Sequence, residues 1–288
     1  MSYSRAVDRV WKTSRRQVPL DRPLVMGILN VTPDSFSDGG RFAAVDSALR
    51  HAEQMIADGA DIIDVGGEST RPGAKQLSAE EEAERVVPVI RHLTSQFDIP
   101  VSIDTTKSEV AKRAIDAGAE IVNDISGLRW DAGLADIAAA SGAGLILMHS
   151  RGEFDTMHSQ EPVDDIVTEV VACLRVSLAG AAGAGVTGGQ IALDVGVGFG
   201  KTLEQNLELM AKLDKIVNEF KTHPIVVGAS RKSFIGRITE SSAASDRLGG
   251  SLAAAMLAME NGAHILRVHD VKETVAACRM FSAVSQLK

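Results

Sequence analysis

Polar and charged side chains recur along this chain, each at or just after the end of a short apolar segment. The carboxylates and amides can hydrogen-bond a heterocycle rich in N–H groups, because a carboxylate accepts two such donors as a fork. The basic side chains add positive charge, which suits a phosphate or a diphosphate. These chemistry-bearing residues are Asn30, Asp64, Arg71, Asp104, Asn123, His149, Asp194, Ser230, Lys232, Arg267 and His269.

The apolar segments have the composition and length of short buried strands. Four of them follow a glycine that suits the left-handed position at the end of a helix, at Gly59, Gly118, Gly142 and Gly262. The sequence therefore repeats a unit of helix, glycine, strand and polar strand end. The eight predicted strands are Leu24–Leu29, Ile62–Ile63, Val101–Ile103, Ile121–Val122, Leu145–Met148, Ile191–Leu193, Ile225–Val227 and Ile265–Val268.

The spacing of these strands predicts the fold class. Intervals of about 20 to 45 residues leave room for one crossover helix each. We therefore predict a single α/β domain, a (β/α)8 TIM barrel, over residues 23–288. An open doubly wound sheet is the alternative, because the pattern does not show whether the sheet closes. In a barrel the carboxyl ends of the strands converge, so the polar residues would share one bowl.

Residues 1–22 precede the first predicted strand and carry a local excess of basic side chains. We predict an irregular, solvated and loosely packed N-terminal extension. Its basic residues are Arg5, Arg9, Lys12, Arg15, Arg16 and Arg22.

The overall composition excludes several classes of function. A net charge of −8 leaves no basic field for nucleic acid, and 4% aromatic residues provide few surfaces for base stacking. Cys173 and Cys278 are far apart and form no CxxC pattern, which argues against a disulfide framework and fits a cytoplasmic protein. No apolar run approaches the roughly 20 residues of a membrane span, so we expect no membrane segment.

A glycine-rich turn, Gly196–Thr202, follows the sixth predicted strand and enters a helix. It is similar to a phosphate-binding P-loop but has Val195 where that motif needs its first glycine. We expect this turn to present free backbone N–H groups near the bowl.

Specific motifs follow one another from about Leu24 to the end of the chain. They begin at Asn30 (NVTPDSFSDGG), Asp64 (DVGGESTRPG), Ser102 (SIDT), Asn123 (NDISG), Gly198 (GFGKT), Ser230 (SRK) and Arg267 (RVHD). Together they make the chain resemble the dihydropteroate synthases, a family of folate-biosynthesis enzymes. The resemblance implies a (β/α)8 barrel and a transferase reaction. In that reaction (7,8-dihydropterin-6-yl)methyl diphosphate and p-aminobenzoate give 7,8-dihydropteroate and pyrophosphate.

The resemblance also implies roles for individual residues. The pterin would be held by Asp104, Asn123, Asp194 and Lys232, with Met148 near its wall. The diphosphate would lie at Arg267 and His269, and Asn30 would bind the Mg2+ cofactor. Catalysis is expected from Asp194, Lys232, Asp104 and Arg267. The p-aminobenzoate subsite would be formed by Pro72, Phe199 and Ser230 with two loops, one around Asp34 and Phe36 and one containing Thr70 and Arg71.

The implied chemistry has a simple physical outline. Loss of pyrophosphate leaves a cationic pterin methylene, which the Asp194 carboxylate would stabilise, while Mg2+ and Arg267 stabilise the leaving group. The aryl amine is a weak nucleophile, so it needs positioning and no strong base. Proline, glycine and serine in the two loops suit a closure that excludes water.

Two other functions fit parts of the pattern. The chain could be a barrel aldolase that uses Lys232 as a Schiff-base nucleophile. It could also be a non-catalytic pterin-binding paralogue, which would need Asp104, Asn123 and Asp194 but no diphosphate residues. The resemblance further implies a homodimer, small-molecule substrates, and sulfonamides that compete at the p-aminobenzoate subsite.

Overall fold

The computed structural model describes residues 9–31, 40–71, 73–157, 159–285 and 287 of the chain. A short hairpin, β1 (Val10–Lys12) and β2 (Gln17–Pro19), precedes a parallel barrel. The barrel strands are β3 (Leu24–Asn30), β4 (Ile62–Gly66), β5 (Val101–Asp104), β6 (Ile121–Asp124), β7 (Gly144–Met148), β8 (Ile191–Asp194), β9 (Ile225–Val227) and β10 (Ile265–Val268).

The helices form an outer layer around these strands. Each barrel strand is followed by at least one helix, as right-handed crossovers between parallel strands require. The helices are α1 (Gly40–Ala57), α2 (Ala79–Gln96), α3 (Ser108–Asp116), α4 (Gly133–Ser141), α5 (Ile166–Gly183), α6 (Leu203–Ala211), α7 (Leu213–Glu219), α8 (Ser233–Thr239), α9 (Leu248–Glu260) and α10 (Val271–Ser285).

The barrel closes between its first and last strands. β10 pairs in parallel with β3, with Ile265 opposite Leu24 and Val268 opposite Gly27, and the closed order runs β10-β3-β4-β5-β6-β7-β8-β9. All eight predicted strands are present. The structure therefore confirms the (β/α)8 barrel and excludes the open doubly wound sheet.

The two-residue period of a strand links the inner core to the polar strand ends. Ile62, Ile121 and Ile146 belong to the apolar cluster inside the barrel. Because side chains two positions apart share a face, Asp64 and Asn123 point to the same side as the isoleucines that precede them. Asp64 and Asn123 thus end the inward-facing rows of β4 and β6 at the bowl.

The N-terminal hairpin seals the opposite end of the barrel. Trp11 is fully buried within the inner cluster, and its Nε1 donates a hydrogen bond of 2.7 Å to the carbonyl of Gln190. Arg16 Nη2 donates to Glu120 Oε1 at 2.6 Å, and Thr13 Oγ1 donates to Glu120 Oε2 at 2.7 Å. The prediction of a loosely packed, solvated extension is therefore wrong for residues 9–22.

The reason is that three apolar side chains of this segment, Trp11, Val18 and Leu20, cover the open end of the inner core. Their burial removes apolar surface from water, and this outweighs the basic character of the segment as a whole. The basic side chain of Arg16 forms an ion pair with the buried carboxylate of Glu120 and so compensates its charge.

The α5 helix is long and apolar enough, by length and composition, to cross a membrane. Glu169 and Arg175 interrupt this helix, so it is not a continuous apolar run. In the structure α5 is a barrel helix, which buries Ile166, Val170 and Leu174 against the core and exposes Val176 on its outer face. An apolar stripe of this kind is typical of helices that pack on a globular core.

We predict that Trp11→Ala lowers the free energy of unfolding by about 3–5 kcal/mol, because it leaves a cavity at the sealed end of the barrel. Urea denaturation measures the change. Val10, on the exposed side of the same strand, is the matched control, and Val10→Ala should change the free energy by less than about 0.5 kcal/mol. Equal losses for both variants would show that the hairpin is not part of the core.

Candidate active site

The C-terminal ends of the strands form one bowl. Asn30 pairs with Gly66, Gly66 with Asp104, and Asp104 with Asn123, so four consecutive strands end at the same level. On the other side of the barrel Met148 pairs with Asp194. The structure thus brings these predicted residues together at one end of the barrel.

Arg267 connects the acidic side chains of the bowl. Its Nε donates to Asp64 Oδ2 at 2.6 Å, and its Nη2 donates to Asp104 Oδ2 at 2.5 Å. Asn123 Nδ2 donates to the same Asp64 oxygen at 3.1 Å. Side chains from β4, β5, β6 and β10 therefore form one network. Asp64 is completely buried, whereas Asp104 keeps 22% of its side chain exposed.

The ionisation of this network follows from burial and mutual attraction. Burial raises the pKa of Asp104 to about 7, with Asp64 adding to the rise and Arg267 opposing it. Burial alone would lower the pKa of Arg267, but the carboxylates of Asp64 and Asp104 outweigh burial and raise it. Arg267 is therefore a permanent cation, while Asp104 can change its charge near neutral pH.

Asp194 and Lys232 form the second half of the bowl. Asp194 Oδ1 accepts a 2.7 Å hydrogen bond from the Gly196 N–H, and burial raises the pKa of Asp194 against the opposing effect of Lys232. Burial lowers the pKa of Lys232 to about 7, and Asp194 opposes that change. Lys232 Nζ donates to the Val197 carbonyl and lies 4.1 Å from the centroid of the Phe199 ring, a cation–π contact.

His269 and Ser230 lie at the rim. Ser230 Oγ accepts from the His269 backbone N–H at 3.2 Å and lies 3.2 Å from His269 Nδ1. Burial, together with Arg267 and Arg231, lowers the pKa of His269 to about 3. The expectation that His269 adds positive charge to the rim is therefore wrong near neutral pH, where the neutral ring can act as a hydrogen-bond donor.

Asn30 lies beside a space that could hold a metal ion. A Cβ atom added at Gly66 would lie 3.8 Å from Asn30 Oδ1 and 3.7 Å from Asp104 Oδ2. Glycine thus leaves room between two oxygen donors, which suit Mg2+. Among the described residues no group of three or more His, Cys, Asp or Glu side chains is placed to hold a metal. A Mg2+ ion here would need further oxygens from water or a diphosphate.

Some predicted residues lie elsewhere or outside the described chain. Asp34, Phe36 and Pro72 fall outside the described residues. Thr70 and Arg71 lie in the loop between β4 and α2, and Arg71 is exposed. His149 is buried against α5, with its Nε2 atom 3.7 Å from Glu169 Oε1.

The expectation of free N–H groups in the glycine-rich turn is wrong for Gly196, Gly198 and Phe199. The Gly196 N–H bonds Asp194, the Gly198 N–H donates to Asn206 Oδ1 at 2.6 Å, and the Phe199 N–H donates to the Gly196 carbonyl at 3.1 Å. These three N–H groups bond acceptors of the protein, because a polar strand end and a helix side chain lie within reach.

Three residues of the motifs have partners in the structure that the sequence did not identify. Asp64 is the carboxylate that holds both Arg267 and Asn123. Arg231 has a φ of +59°, which is uncommon outside glycine, and pairs with Asp270 through two hydrogen bonds. That ion pair joins the loops after β9 and β10. Only the spatial neighbours reveal these roles, since the spacing of the three residues carries no distinct signal.

Comparison with known proteins agrees with this geometry. Residues 26–269 match the family model described as "Pterin binding enzyme". The chain is 46% identical over 269 residues to dihydropteroate synthase of Escherichia coli (strain K12). The alignment covers 93% of this chain and 94% of that protein.

Two solved structures share the fold. Dihydropteroate synthase of Xanthomonas albilineans with 4-aminobenzoic acid has a TM-score of 0.89 at 41% identity, covering 96% of this chain and 98% of that chain. A structure of the X. albilineans enzyme in complex with 7,8-dihydropteroate has a TM-score of 0.85 at 39% identity, covering 95% and 98% of the two chains.

We predict a pH-dependent stability that comes from Asp104. Between its ordinary pKa of 3.8 and about 7, the unfolded chain releases this proton while the folded protein keeps it. Stability therefore falls as pH rises through that window and levels off above it. Urea denaturation at pH 5, 6, 7 and 8 should show wild type losing stability relative to Asp104→Asn up to about pH 7.

Asp116, an exposed carboxylate on α3, provides the control. The stability difference between wild type and Asp116→Asn should stay nearly constant over the same pH range. A constant difference for Asp104→Asn as well would contradict the raised pKa.

Proposed function

The chain belongs to the dihydropteroate synthase family of pterin-binding enzymes, and we propose that it catalyses the reaction of that family in folate biosynthesis. The reaction joins (7,8-dihydropterin-6-yl)methyl diphosphate to p-aminobenzoate and releases pyrophosphate and 7,8-dihydropteroate. The observation that carries the proposal is the buried network of Arg267, Asp64, Asp104 and Asn123, with Asp194 and Lys232 opposite.

The acidic floor of the bowl suits a pterin ring. Asp104 and Asp194 are desolvated carboxylates that lack the water they would have at the surface, so ring N–H donors would replace lost hydrogen bonds. Asn123 can hydrogen-bond the ring edge, and Lys232 can donate to a ring acceptor. Met148, buried at the end of β7, would provide part of the apolar wall.

The rim of the bowl suits the diphosphate. Arg267 offers a permanent positive charge, and the neutral His269 ring offers a hydrogen-bond donor. Asn30 Oδ1 would hold Mg2+ together with diphosphate oxygens, beside the space that Gly66 leaves open. Bound there, Mg2+ would offset the negative charge that develops on the departing pyrophosphate.

The same residues account for the chemistry. As the C–O bond to pyrophosphate breaks, positive charge develops on the pterin methylene, and the Asp194 carboxylate would stabilise it in a desolvated site. The aryl amine then attacks from its own subsite, and positioning replaces base catalysis. Phe199 and Ser230 would form that subsite with Thr70 and Arg71, and with Asp34, Phe36 and Pro72 from outside the described residues. We expect sulfonamides to compete there.

A Schiff-base aldolase has one observation in its favour, the lowered pKa of Lys232, since a neutral amine is the nucleophile. The Lys232 amine, however, donates to the Val197 carbonyl and lies over Phe199, which suits a binding role. Borohydride would trap a substrate adduct only for the aldolase. A non-catalytic paralogue would bind pterin without releasing pyrophosphate.

We also propose that the enzyme is a cytoplasmic homodimer. Cys173 and Cys278 are free thiols, which suits a reducing compartment. The neighbouring helices α9 and α10 expose Leu257, Met280 and Val284, apolar side chains that a second copy could cover. Light scattering should give twice the monomer mass.

The central test is pyrophosphate release by the purified protein. We expect release only when the pterin diphosphate, p-aminobenzoate and Mg2+ are all present, with EDTA abolishing it. Asn30→Ala should raise the Mg2+ concentration required, whereas Asn218→Ala, an exposed site on α7, should leave it unchanged. Folded wild-type protein that releases no pyrophosphate would refute the proposed function.

Asp194→Asn separates charge from shape. The substitution preserves side-chain volume but removes the charge that faces the developing cation, so kcat should fall by at least about 10²-fold. Because burial disfavours the charged form of Asp194, thermal stability should not decrease. The exposed Asp116→Asn is the control and should keep full turnover. Unchanged kcat in Asp194→Asn would remove Asp194 from the mechanism.

A further inference from the structure

The loop that joins β8 to α6 lies directly beneath Lys232. Its Val197 carbonyl accepts a hydrogen bond from Lys232 Nζ, and its Phe199 ring lies 4.1 Å from the same nitrogen. A Cβ atom added at Gly198 would lie only 2.7 Å from Lys232 Cδ, so the loop backbone touches the lysine stem. The position of this loop therefore decides where the Lys232 amine and the Phe199 ring sit.

The backbone of this loop is rich in glycine, so contacts from outside the loop are needed to hold it in one conformation. Gly196, Gly198 and Gly200 have φ angles of +66°, +87° and +67°, a region that glycine enters freely in the unfolded chain. Three glycines in five residues cost more conformational entropy on ordering than other residues would. Contacts must hold such a loop in one conformation.

Lys201 makes those contacts. Its Nζ donates to the carbonyl of Gly196 at 2.6 Å, to that of Phe199 at 3.1 Å and to that of His149 at 3.3 Å. Burial and the charge of Lys232 lower the pKa of Lys201, and the charge of Asp194 opposes this change. When the amine is protonated it has three N–H donors, and the three carbonyls can accept all of them. Two of these carbonyls lie within the loop, and the third lies at the end of β7.

A second cation fixes the far end of the same loop. Arg151, which follows β7, donates from Nη1 to the Gly200 carbonyl at 3.1 Å and pairs with Glu169 of α5 through Nε at 2.9 Å. The loop after β8 is thus fastened to the segment after β7 by Lys201 and Arg151, and to α6 by the hydrogen bond from the Gly198 N–H to Asn206 Oδ1.

We propose that Lys201 is a positioning residue of the synthase: its ammonium group gathers three carbonyls and so sets the Phe199 ring and the Val197 carbonyl against Lys232. The inference rests on the proposed function for its catalytic meaning. The hydrogen bonds of Lys201 Nζ go to backbone carbonyls, so in this role Lys201 acts through the loop backbone. The sequence similarity to a P-loop lysine is therefore misleading, because Lys201 binds protein carbonyls.

The test begins with Lys201→Met, which keeps the length of the side chain and removes all three donors. Displacement of Phe199 and Val197 by about 1 Å should lower kcat/KM for p-aminobenzoate on the order of 10²-fold. Lys215→Met, at an exposed position on α7, is the matched control and should keep wild-type kinetics. Thr202→Ala removes the α6 cap beside Lys201 and should lower thermal stability with less than about a tenfold kinetic loss.

A double-mutant cycle separates positioning from general destabilisation. In a Phe199→Leu background, Lys201→Met should cost clearly less than it does in wild type, because one of the two groups that it positions, the Phe199 ring, is already gone. Equal costs in both backgrounds would overturn the proposal. Lys201→Arg should not restore activity, since a planar guanidinium cannot direct three N–H groups at three carbonyls around one point. Full activity in that variant would also overturn it.

Hydrogen exchange provides a readout that does not depend on turnover. The peptide covering residues 195–200 should exchange faster in Lys201→Met than in Lys215→Met. If Lys201→Met is insoluble, Lys201→Gln serves in its place, with two donors and the same expected direction. If the wild-type protein shows no turnover, the proposed function is refuted but the role of Lys201 in the loop is not. If hydrogen exchange of residues 195–200 is the same in Lys201→Met as in Lys215→Met, the role of Lys201 is refuted.

Discussion

A buried guanidinium held between two carboxylates is the interaction on which the rest of the structure depends. Arg267 comes from β10 and reaches Asp64 on β4 and Asp104 on β5, so the network spans the closure of the barrel. Removing one partner of such a group leaves an uncompensated buried charge, which commonly costs 3–5 kcal/mol. The three side chains therefore require one another, and they require a closed barrel that brings the ends of the strands together.

The same burial sets the ionisation of the whole bowl. It raises the pKa values of Asp104 and Asp194 and lowers those of Lys232 and His269, so burial disfavours the charged form of each of these side chains. A ligand with N–H donors at one end and negative charge at the other would reverse these shifts. The charged and polar groups of the bowl are already oriented before a substrate binds. They can therefore stabilise the charge that develops in the transition state without first having to reorient.

The sequence predicted most of the site because strand geometry is local. Asp104, Asn123 and Arg267 each lie two positions after an inward-facing residue, so a period of two was enough to direct them into the bowl. The errors came where neighbours distant in the chain decide the outcome. Trp11 became core because the end of the barrel offered it an apolar surface, and the pKa of His269 is lowered because the ring is buried and lies near Arg267 and Arg231. Lys201 gained its role from carbonyls on two different loops.

The amino-acid sequence by itself determined the number and order of the strands, the polar residue at the end of each, and the family to which the chain belongs. These features follow from short-range periodicity and from contiguous motifs, which need no knowledge of distant contacts. Only the tertiary structure decided which carboxylates pair with Arg267, which histidine stays neutral and which segment covers the N-terminal end of the barrel. Each of those depends on desolvation and charge between groups up to 203 positions apart in the chain, and such distances are defined only after folding.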